Sequence, residues 1–222
     1  SLICPVSENL KQTMQECGIE NNFEVVPNVV DTNLFRIAET RTKGKKKIIH
    51  ISTLKEWHKN VRGMLRVIKK LSEIRKDFEL HIISDGDISL ATEISKEYGL
   101  LDKIIFIYPA QTLEKVAEML RDSDLFLLFS NVETFSCVII EALASGVPVL
   151  SSNAGAIPEL VNEKNGMLVN SGDEKALFEK LNEMLDKKGF YNKEELRRFV
   201  VDNFCYRVVG KKFCNIYSRF IN

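Results

Sequence analysis

The sequence predicts a doubly wound α/β domain, in which helices cover both faces of a parallel β-sheet. Two observations lead to this fold class. Short apolar runs of strand length alternate with segments whose apolar residues recur at helical spacing. The run DLFLLFS (124–130) is apolar almost throughout, as expected of a strand that is covered on both faces. Such an alternation implies right-handed crossovers between parallel strands.

The first three strand–helix units follow one another directly. We expect strands at 46–53, 78–84 and 103–108. The helix after the first strand is indicated by apolar residues at helical spacing, namely Val61, Met64, Leu65, Ile68 and Leu71. A second helix follows Asp85-Gly86-Asp87 and ends near Tyr98. The third helix is indicated by Leu113, Val116, Ala117 and Leu120.

The rest of the sheet and the two ends of the chain complete the prediction. We expect a strand at 124–130, a helix at 134–145, a strand at 147–152, a helical turn near 157–163, a strand at 166–169 and a helix at 173–187. Two more helices follow, at about 191–203 and 205–219. At the other end, residues 1–22 predict a strand end and one helix with no partners of their own, and residues 25–35 predict a strand and a linker.

The composition excludes several classes of protein. The chain has 222 residues with 31 basic and 31 acidic side chains, so it lacks the clustered positive charge of a nucleic-acid-binding protein. A hydrophobic content of 45% is typical of an ordinary folded core. No apolar run approaches the ~20 residues that span a bilayer, and we expect no secretion signal. The lysine-rich stretch 43–47 is predicted to be a solvated turn, with phosphate or membrane binding as the alternative.

The cysteines and histidines predict a cytoplasmic protein without a metal. Five cysteines are widely spaced and form no C-x-x-C motif, which is typical of reduced thiols. The three histidines, His50, His58 and His81, are far from any pair of cysteines, so we expect neither a metal nor another cofactor.

Candidate ligand-binding residues follow from the predicted topology. Open α/β sheets bind ligands beyond the carboxyl ends of their strands, which directs attention to the loops at 53–60, 84–88, 108–112, 130–135 and 152–157. The first of these loops carries Lys55, His58 and Lys59. The last carries Gly155, which would let the backbone approach a ligand closely.

The predicted helix at 134–145 has the features of a diphosphate site. Its first amides, those of Thr134, Phe135 and Ser136, would have no partner inside the helix, and the helix dipole makes this end positive. Lys59 could add a point charge to the same phosphates.

Two glutamates, Glu133 and Glu141, would lie on either side of this diphosphate. A helical rise over eight residues covers ~12 Å, which is about the length of a sugar–diphosphate–ribose chain. Each carboxylate could accept hydrogen bonds from the hydroxyls at one end. The two side chains would be roughly 80° apart on one helix, so Glu133 must lie in the preceding loop. The alternative is that Glu133 caps the helix and Glu141 is solvated. However, Glu141 stands between Ile140 and Ala142 in a very apolar helix, which favours a buried carboxylate in need of a partner.

Several motifs, in order along the chain, resemble those of glycosyltransferase family 4, whose members have the GT-B fold. The stretch ETFSCVIIEALASGVPVLSSNAGAIPELV (133–161) resembles the E-x(7)-E signature and the Gly-Gly-x-x-Glu region of that family. The other matching stretches are VSENLK (6–11), VVPNVVDTNLF (25–35), SDGD (84–87) and NEKNGMLVN (162–170).

The resemblance implies the Rossmann-like, carboxy-terminal half of a GT-B fold, which binds the donor. It divides the chain into a remnant of the amino-terminal domain and linker (1–30), a nucleotide-sugar-binding domain (31–204) and a crossover helix (205–222). The crossover helix would pack on the missing half. In this chain an exposed apolar patch would then be formed by Phe204, Phe213, Tyr217 and Phe220. The implied partners are a nucleotide-sugar donor and the missing domain, and peripheral association of the full enzyme with a membrane stays open.

The implied activity is retaining transfer of a hexose in polysaccharide biosynthesis, with this chain alone inactive. By resemblance, Glu133 contacts the sugar, Glu141 the ribose and Lys59 the diphosphate, while the amides of 134–136 bind phosphate or sugar. The base would lie near Tyr108 and Pro109.

The chain also departs from the family pattern. Ser52-Thr53 stands where Gly-Arg is usual, so Lys55 or His58 would have to replace the arginine. Alanine follows Gly155 where a second glycine is usual, and Thr134 occupies a frequent glycine position.

Other functions stay open at this point. A GT-B epimerase or phosphorylase would share the fold, and a non-catalytic nucleotide-binding or interaction module would keep the fold without the site. Asp122-Ser123-Asp124 matches the D-x-D metal motif of the other major glycosyltransferase fold, but it precedes a strand and is predicted to end a helix. The absence of G-x-G-x-x-G after the first strand disfavours hydride transfer by a dinucleotide enzyme.

Overall fold

The main β-sheet has six parallel strands, in a computed structural model that describes residues 1–39, 44–186 and 190–220. Two short strands come first in the chain, β1 (Leu2–Ile3) and β2 (Asn22–Phe23). The main sheet is formed by β3 (Lys46–Ile51), β4 (Phe78–Ile83), β5 (Ile105–Tyr108), β6 (Leu125–Leu128), β7 (Val149–Ser152) and β8 (Gly166–Val169). All six lie within the segments predicted from apolar runs, and the predicted α/β fold class is confirmed.

The strand order β5-β4-β3-β6-β7-β8 places the first strand of the main sheet in its middle. From β3 the chain proceeds outward through β4 to β5, and it then returns to β6 and proceeds outward on the other side. The order therefore reverses between β3 and β6. In open α/β sheets a crevice forms at such a reversal, beyond the carboxyl ends of the strands.

Helices cover both faces of the sheet. The helices are α1 (Glu8–Glu16), α2 (Glu56–Lys59), α3 (Val61–Ile74), α4 (Ser89–Glu97), α5 (Leu113–Arg121), α6 (Cys137–Ala144), α7 (Ile157–Leu160), α8 (Glu174–Asp186), α9 (Lys193–Phe204) and α10 (Tyr206–Tyr217). One core joins the sheet to α3, α4 and α8, and the other joins it to α5, α6, α7 and α9. The five apolar residues that predicted α3 are all fully buried, which explains why that helix was read correctly.

Three details differ from the sequence prediction. α6 begins at Cys137 rather than at 134, because residues 134–136 form a loop before the helix. Leu113 is 60% exposed, so only Val116, Ala117 and Leu120 attach α5 to the core. α8 is described as far as Asp186, and the predicted last residue, 187, lies outside the described part of the chain.

The amino-terminal segment has partners, contrary to the prediction. β1 pairs with β2 in a two-stranded parallel sheet. Val26 packs with Val209 and Ile216 of α10 in a small third core, and Glu24 forms an ion pair with Arg219. The strand predicted within 25–35 is not formed: the amide of Val26 donates to the carbonyl of Pro5, and Val30 makes an isolated bridge with Cys205. These contacts join residues that are far apart in sequence, and the apolar runs used to predict strands carry no information about them.

The expected aromatic patch is present in three of its four residues. Phe213, Tyr217 and Phe220 are exposed, and the rings of Phe213 and Tyr217 stack with centroids 6.1 Å apart. Phe204 is instead buried, because its ring packs edge-on against Phe135 and Phe199. The last two residues of the predicted segment 205–222 lie outside the described residues.

Three further findings concern the helices, the cysteines and the lysine-rich stretch. Among the described residues, every helix is too short or too polar to cross a bilayer. The five cysteines are free thiols. Of the lysine-rich stretch, Lys45, Lys46 and Lys47 make ion pairs with carboxylates, while residue 43 lies outside the described residues.

Candidate donor-binding site

The candidate site lies at the reversal of strand order, where the loop after β3 meets the loop after β6. The backbone amide of Asn131 donates to the carbonyl of His58 over 2.7 Å, and the Asn131 side chain donates to the carbonyl of Trp57 over 3.0 Å. These bonds join two loops whose residues are more than 70 positions apart in sequence. Side chains that the sequence suggested separately are thereby brought to one place.

Lys59 and Glu133 form an ion pair at this junction. The Lys59 ammonium donates to Oε1 of Glu133, and Ser130 Oγ donates to the same oxygen over 2.9 Å. The two side chains of the pair are only 16% and 8% exposed, so the interaction is weakly screened by water. Glu133 lies in the loop before α6, as its spacing from Glu141 required.

A buried histidine supports the loop that carries Lys59. His50 Nδ1 lies 2.9 Å from the carbonyl of Leu127 and must therefore be protonated, so Nε2 accepts from Ser52 Oγ over 2.8 Å. Ser52 Oγ in turn accepts from the amide of Leu54. Burial lowers the pKa of His50 to about 4, and the imidazole is neutral at neutral pH. Ser52, which replaces the usual glycine of the family pattern, thus fixes the start of the loop.

Gly155 packs against the backbone of the site rather than against a ligand. Its φ is +52°, and a Cβ at this position would stand 1.8 Å from the carbonyl oxygen of Glu133. The amide of Ala156 donates to that same carbonyl over 3.1 Å. The close approach predicted for Gly155 therefore exists, but its partner is Glu133, and the glycine positions the loop that bears the carboxylate.

The amides of Thr134, Phe135 and Ser136 belong to the loop before α6, not to its first turn. Within the described part of the chain, these three amides donate to no residue. Ser136 is the N-cap residue, yet its side chain does not cap the helix. The ring of Phe135 packs into the core, and the carbonyl of Thr134 accepts a hydrogen bond from Ser7 Oγ over 2.8 Å.

Glu141 is largely buried in α6 without a partner. No hydrogen bond or ion pair connects its carboxylate to any residue in 1–39, 44–186 or 190–220. Burial raises its pKa from 4.5 to about 7. The thiol of Cys137, one turn earlier, has a raised pKa because of its own burial and the nearby Glu141 charge. The interpretation of Glu141 as a solvated surface residue is therefore wrong.

Tyr108 does not present its side chain to the candidate site. Its hydroxyl lies 3.1 Å from His81 Nδ1, and the two rings stack. It lines a cavity of about 240 Å³ that also includes Lys47, at the amino end of β3, and thus points away from the carboxyl ends of the strands. Tyr108 is at the end of the edge strand, and its carbonyl already accepts from the amide of Ser84. Pro109, the next residue predicted near the base, is exposed.

That cavity has little that would bind a charged ligand, because its charges are already paired. Lys47 pairs with Asp122, and Lys115 pairs with Glu118. Asp122 is also the C-cap residue of α5, so the prediction that the D-x-D sequence ends a helix is confirmed. Within the described residues there is no cluster of three or more potential metal ligands.

Lys55 is the N-cap residue of the short helix α2, and His58 lies in its last turn beside Lys59. Lys55 is exposed, whereas His58 is half-buried and contacts the ring of Trp57 edge-on at 4.8 Å. Trp57 itself is 73% exposed.

Sequence reasoning missed two contributions to the site. Ser130, which is fully buried, was not singled out, although it stands three residues before Glu133. Glu159 was noted only as part of a motif, yet its carboxylate accepts from the amides of Glu8 and Asn9 over 3.0 and 2.8 Å. These long-range bonds attach α1 beside the site, and no local sequence pattern signals them.

The chain matches known proteins over most of its length. A family model described as Glycosyl transferases group 1 matches residues 31–200. MMP alpha-(1->4)-mannosyltransferase of Mycolicibacterium hassiacum is 30% identical over 204 residues, which cover 90% of this chain and 49% of that protein. N-acetyl-alpha-D-glucosaminyl L-malate synthase of Bacillus anthracis is 28% identical over 97% of this chain and 59% of that protein. The chain thus spans about half the length of these curated relatives.

Solved structures show the same fold. Sucrose-phosphate synthase of Thermosynechococcus elongatus superposes on 99% of this chain with a TM-score of 0.88 and 16% identity, and the match covers 58% of that chain. A glycosyltransferase of Rickettsia africae gives a TM-score of 0.86 at 22% identity, over 98% of this chain and 62% of that chain. The six-stranded sheet corresponds to about half of such GT-B structures. Since the family model matches well over half of the chain, the protein belongs to the glycosyl transferases group 1 family, glycosyltransferase family 4.

Proposed function

We propose that this chain is the donor-binding part of a retaining glycosyltransferase that uses a nucleoside-diphosphate sugar. One observation carries the proposal. At the reversal of strand order, a Lys59–Glu133 ion pair adjoins a loop whose amides donate to no described residue, and Glu141, a largely buried carboxylate that bonds to no described residue, follows in the next helix. A structural role explains the ion pair, but it leaves the unpartnered Glu141 without an explanation.

Each group has a part of the donor that suits it chemically. The Lys59 ammonium and the amides of 134–136 would bind the diphosphate. Glu133 would accept from sugar hydroxyls, and Glu141 would accept from the two ribose hydroxyls, which would then satisfy its buried carboxylate. In the reaction the bond between the anomeric carbon and the diphosphate oxygen breaks, and its electron pair goes to the diphosphate. Lys59 and the amides would stabilise that charge, while an acceptor hydroxyl bonds to the anomeric carbon and passes its proton to the departing diphosphate oxygen.

A hexose donor agrees with two of the relatives, an MMP alpha-(1->4)-mannosyltransferase and an N-acetyl-alpha-D-glucosaminyl L-malate synthase. We also propose a role in polysaccharide biosynthesis in the cytoplasm, and the five free thiols are typical of a reducing compartment. The acceptor would be bound mainly by the other half of a GT-B fold, since this chain spans about half the length of its relatives. We therefore expect nucleotide binding but no sugar transfer by this chain alone.

The proposal is tested by a thermal-shift panel of UDP, GDP and ADP sugars. At 100 times its dissociation constant, a bound ligand stabilises the folded chain by ~2.7 kcal/mol. We expect one of the three nucleotides to stabilise the chain and the Glu141→Ala variant to lose that stabilisation. Glu93→Ala, which removes an exposed carboxylate from α4, is the matched control and should respond like the unchanged chain.

Two results would contradict the proposal. If none of the nucleotides stabilises the chain, the proposed donor site does not exist. Unchanged nucleotide affinity in Glu141→Ala would favour a binding module that recognises nucleotides elsewhere.

A further inference from the structure

Ser130 occupies an unusual position in the loop that carries Glu133. β6 ends at Leu128, so the carbonyl of Ser130 lies beyond the last bonds of the strand. Two hydroxyls take their place, since Ser152 Oγ and Ser171 Oγ both donate to this carbonyl, the latter over 2.9 Å. A carbonyl oxygen has two lone pairs, and here both are used. The backbone of Ser130 is therefore held by Ser152, the last residue of β7, and by Ser171, two residues beyond the end of β8.

The side chain of Ser130 transmits this rigid position to Glu133. Its hydroxyl donates over 2.9 Å to Oε1, the oxygen that also accepts from Lys59. Oε2 accepts from no residue in the described part of the chain. Because both donors act on one oxygen, they fix the rotation of the carboxylate and leave the other oxygen without a hydrogen-bond partner among the described residues.

We propose that Ser130 is a positioning residue, which holds Glu133 so that its Oε2 receives a hydroxyl of the donor sugar. This inference rests on the proposed function, since it assigns Glu133 to the sugar end of the donor. Ser130 is fully buried, so water cannot replace its hydroxyl if it is removed. Without Ser130, the Glu133 carboxylate would keep only Lys59 among its described partners. Because the lysine side chain is flexible, the carboxylate would then sample several orientations and occupy the one that fits the sugar less often.

A purely structural role makes a different prediction, and Ser151 provides the matched control. Ser151 is also fully buried, and its hydroxyl donates over 2.8 Å to the carbonyl of Leu128. It lies on the same part of the sheet but makes no bond to Glu133. Both Ser130→Ala and Ser151→Ala therefore remove a buried serine hydroxyl. Only Ser130→Ala also removes the hydrogen bond to the Glu133 carboxylate.

The test compares two ligands by calorimetry on this chain, the nucleoside diphosphate selected by the thermal-shift panel and the same nucleotide with its sugar. We expect Ser130→Ala to weaken binding of the nucleotide sugar by about tenfold, and to leave binding of the nucleoside diphosphate unchanged. Ser130→Thr, which keeps the hydroxyl, should restore the affinity for the sugar conjugate. Ser151→Ala should change neither affinity. An equal loss for both ligands, or the same loss in Ser151→Ala, would overturn the assignment.

A second measurement needs no ligand. In a double-mutant cycle of urea unfolding, Ser130→Ala and Glu133→Ala should be coupled by about a factor of ten in the unfolding equilibrium constant, and Ser151→Ala and Glu133→Ala should not be coupled. Absence of coupling at Ser130 would overturn the inference whatever the ligand. If the unchanged chain binds none of the nucleotides while the coupling is present, the proposed function fails and the contact between Ser130 and Glu133 stands.

Discussion

The two glutamates of the E-x(7)-E pattern occupy opposite physical situations. Glu133 lies in a loop and receives hydrogen bonds from Lys59 and Ser130. Glu141 lies in a helix, where burial raises its pKa to about 7 and no described residue bonds to it. The free-energy cost of burying a carboxylate is met by the protein at the first position and left unmet at the second. Two identical residues of one motif thus differ in environment: Glu133 is held by hydrogen bonds, whereas Glu141 bonds to no described residue.

The largest effect is expected from Gly155→Ala, which acts only on the Glu133 region. The new Cβ would stand 1.8 Å from the Glu133 carbonyl at a φ of +52°, so the loop must move. We expect a loss of roughly 3 kcal/mol in the free energy of unfolding, measured in urea. Gly172→Ala is the control, because its φ of +78° gives strain but nothing lies within 4 Å of the new atom. Its loss should be about 1 kcal/mol, and equal losses would contradict the packing role of Gly155.

The next effect tests whether the protein itself compensates for the Glu133 charge. Lys59→Met removes the ammonium from a carboxylate whose side chain is 8% exposed, and we expect the free energy of unfolding to fall by about 2–3 kcal/mol. Adding Glu133→Gln should recover much of this loss, because the unpaired charge disappears. The control is Arg66→Met, which breaks a more exposed ion pair with Glu174 and should cost under about 1 kcal/mol. No recovery in the double variant would mean that Lys59 stabilises the loop by packing alone.

The opposite sign is expected at Glu141. Its pKa is raised when the chain folds, so the folded state holds the proton more tightly and stability falls as the pH rises from about 4.5 through about 7. Glu141→Gln removes this penalty. The variant should therefore be more stable than the unchanged chain by about 2 kcal/mol at pH 8, and the difference should vanish near pH 4. Urea titrations at both pH values measure it. A destabilised variant at pH 8 would show that Glu141 has a partner after all.

The smallest effect concerns ligand binding under the proposed function. If ribose hydroxyls donate to an ionised Glu141, nucleotide affinity should rise with pH and level off above about 7. Below that value we expect about a tenfold loss in affinity for each pH unit, measured by calorimetry. Glu141→Gln should bind more weakly and show a much flatter profile. A pH-independent affinity in the unchanged chain would separate Glu141 from the ribose.

Much of the fold was accessible from the sequence, because it depends on local patterns. The strands of the main sheet are short apolar runs, and α3 is a helix with one fully buried face. The sequence also singled out Glu133 and Lys59, because loops at the carboxyl ends of strands were the places to search, and the structure pairs these two side chains. The start of α6 was misplaced by three residues, because the residues at 134–136 are held by loop contacts rather than by a capping side chain. That the Tyr108 side chain packs against His81 had no local signal, because the direction of a side chain at an edge strand depends on its neighbours.

By itself, the sequence determined the alternation of strands and helices, and with it the order of elements, since hydrophobic periodicity acts within a few residues. It also determined that Glu141 stands in an apolar helix. Only the tertiary structure decided that Lys59 and Ser130 converge on Glu133 while Glu141 has no described partner. Lys59 and Glu133 are far apart in sequence, and the contact of Ser130 with Glu133 depends on where β6 ends. Whether a charge is buried depends on all of the atoms around it, not on its neighbours in the chain.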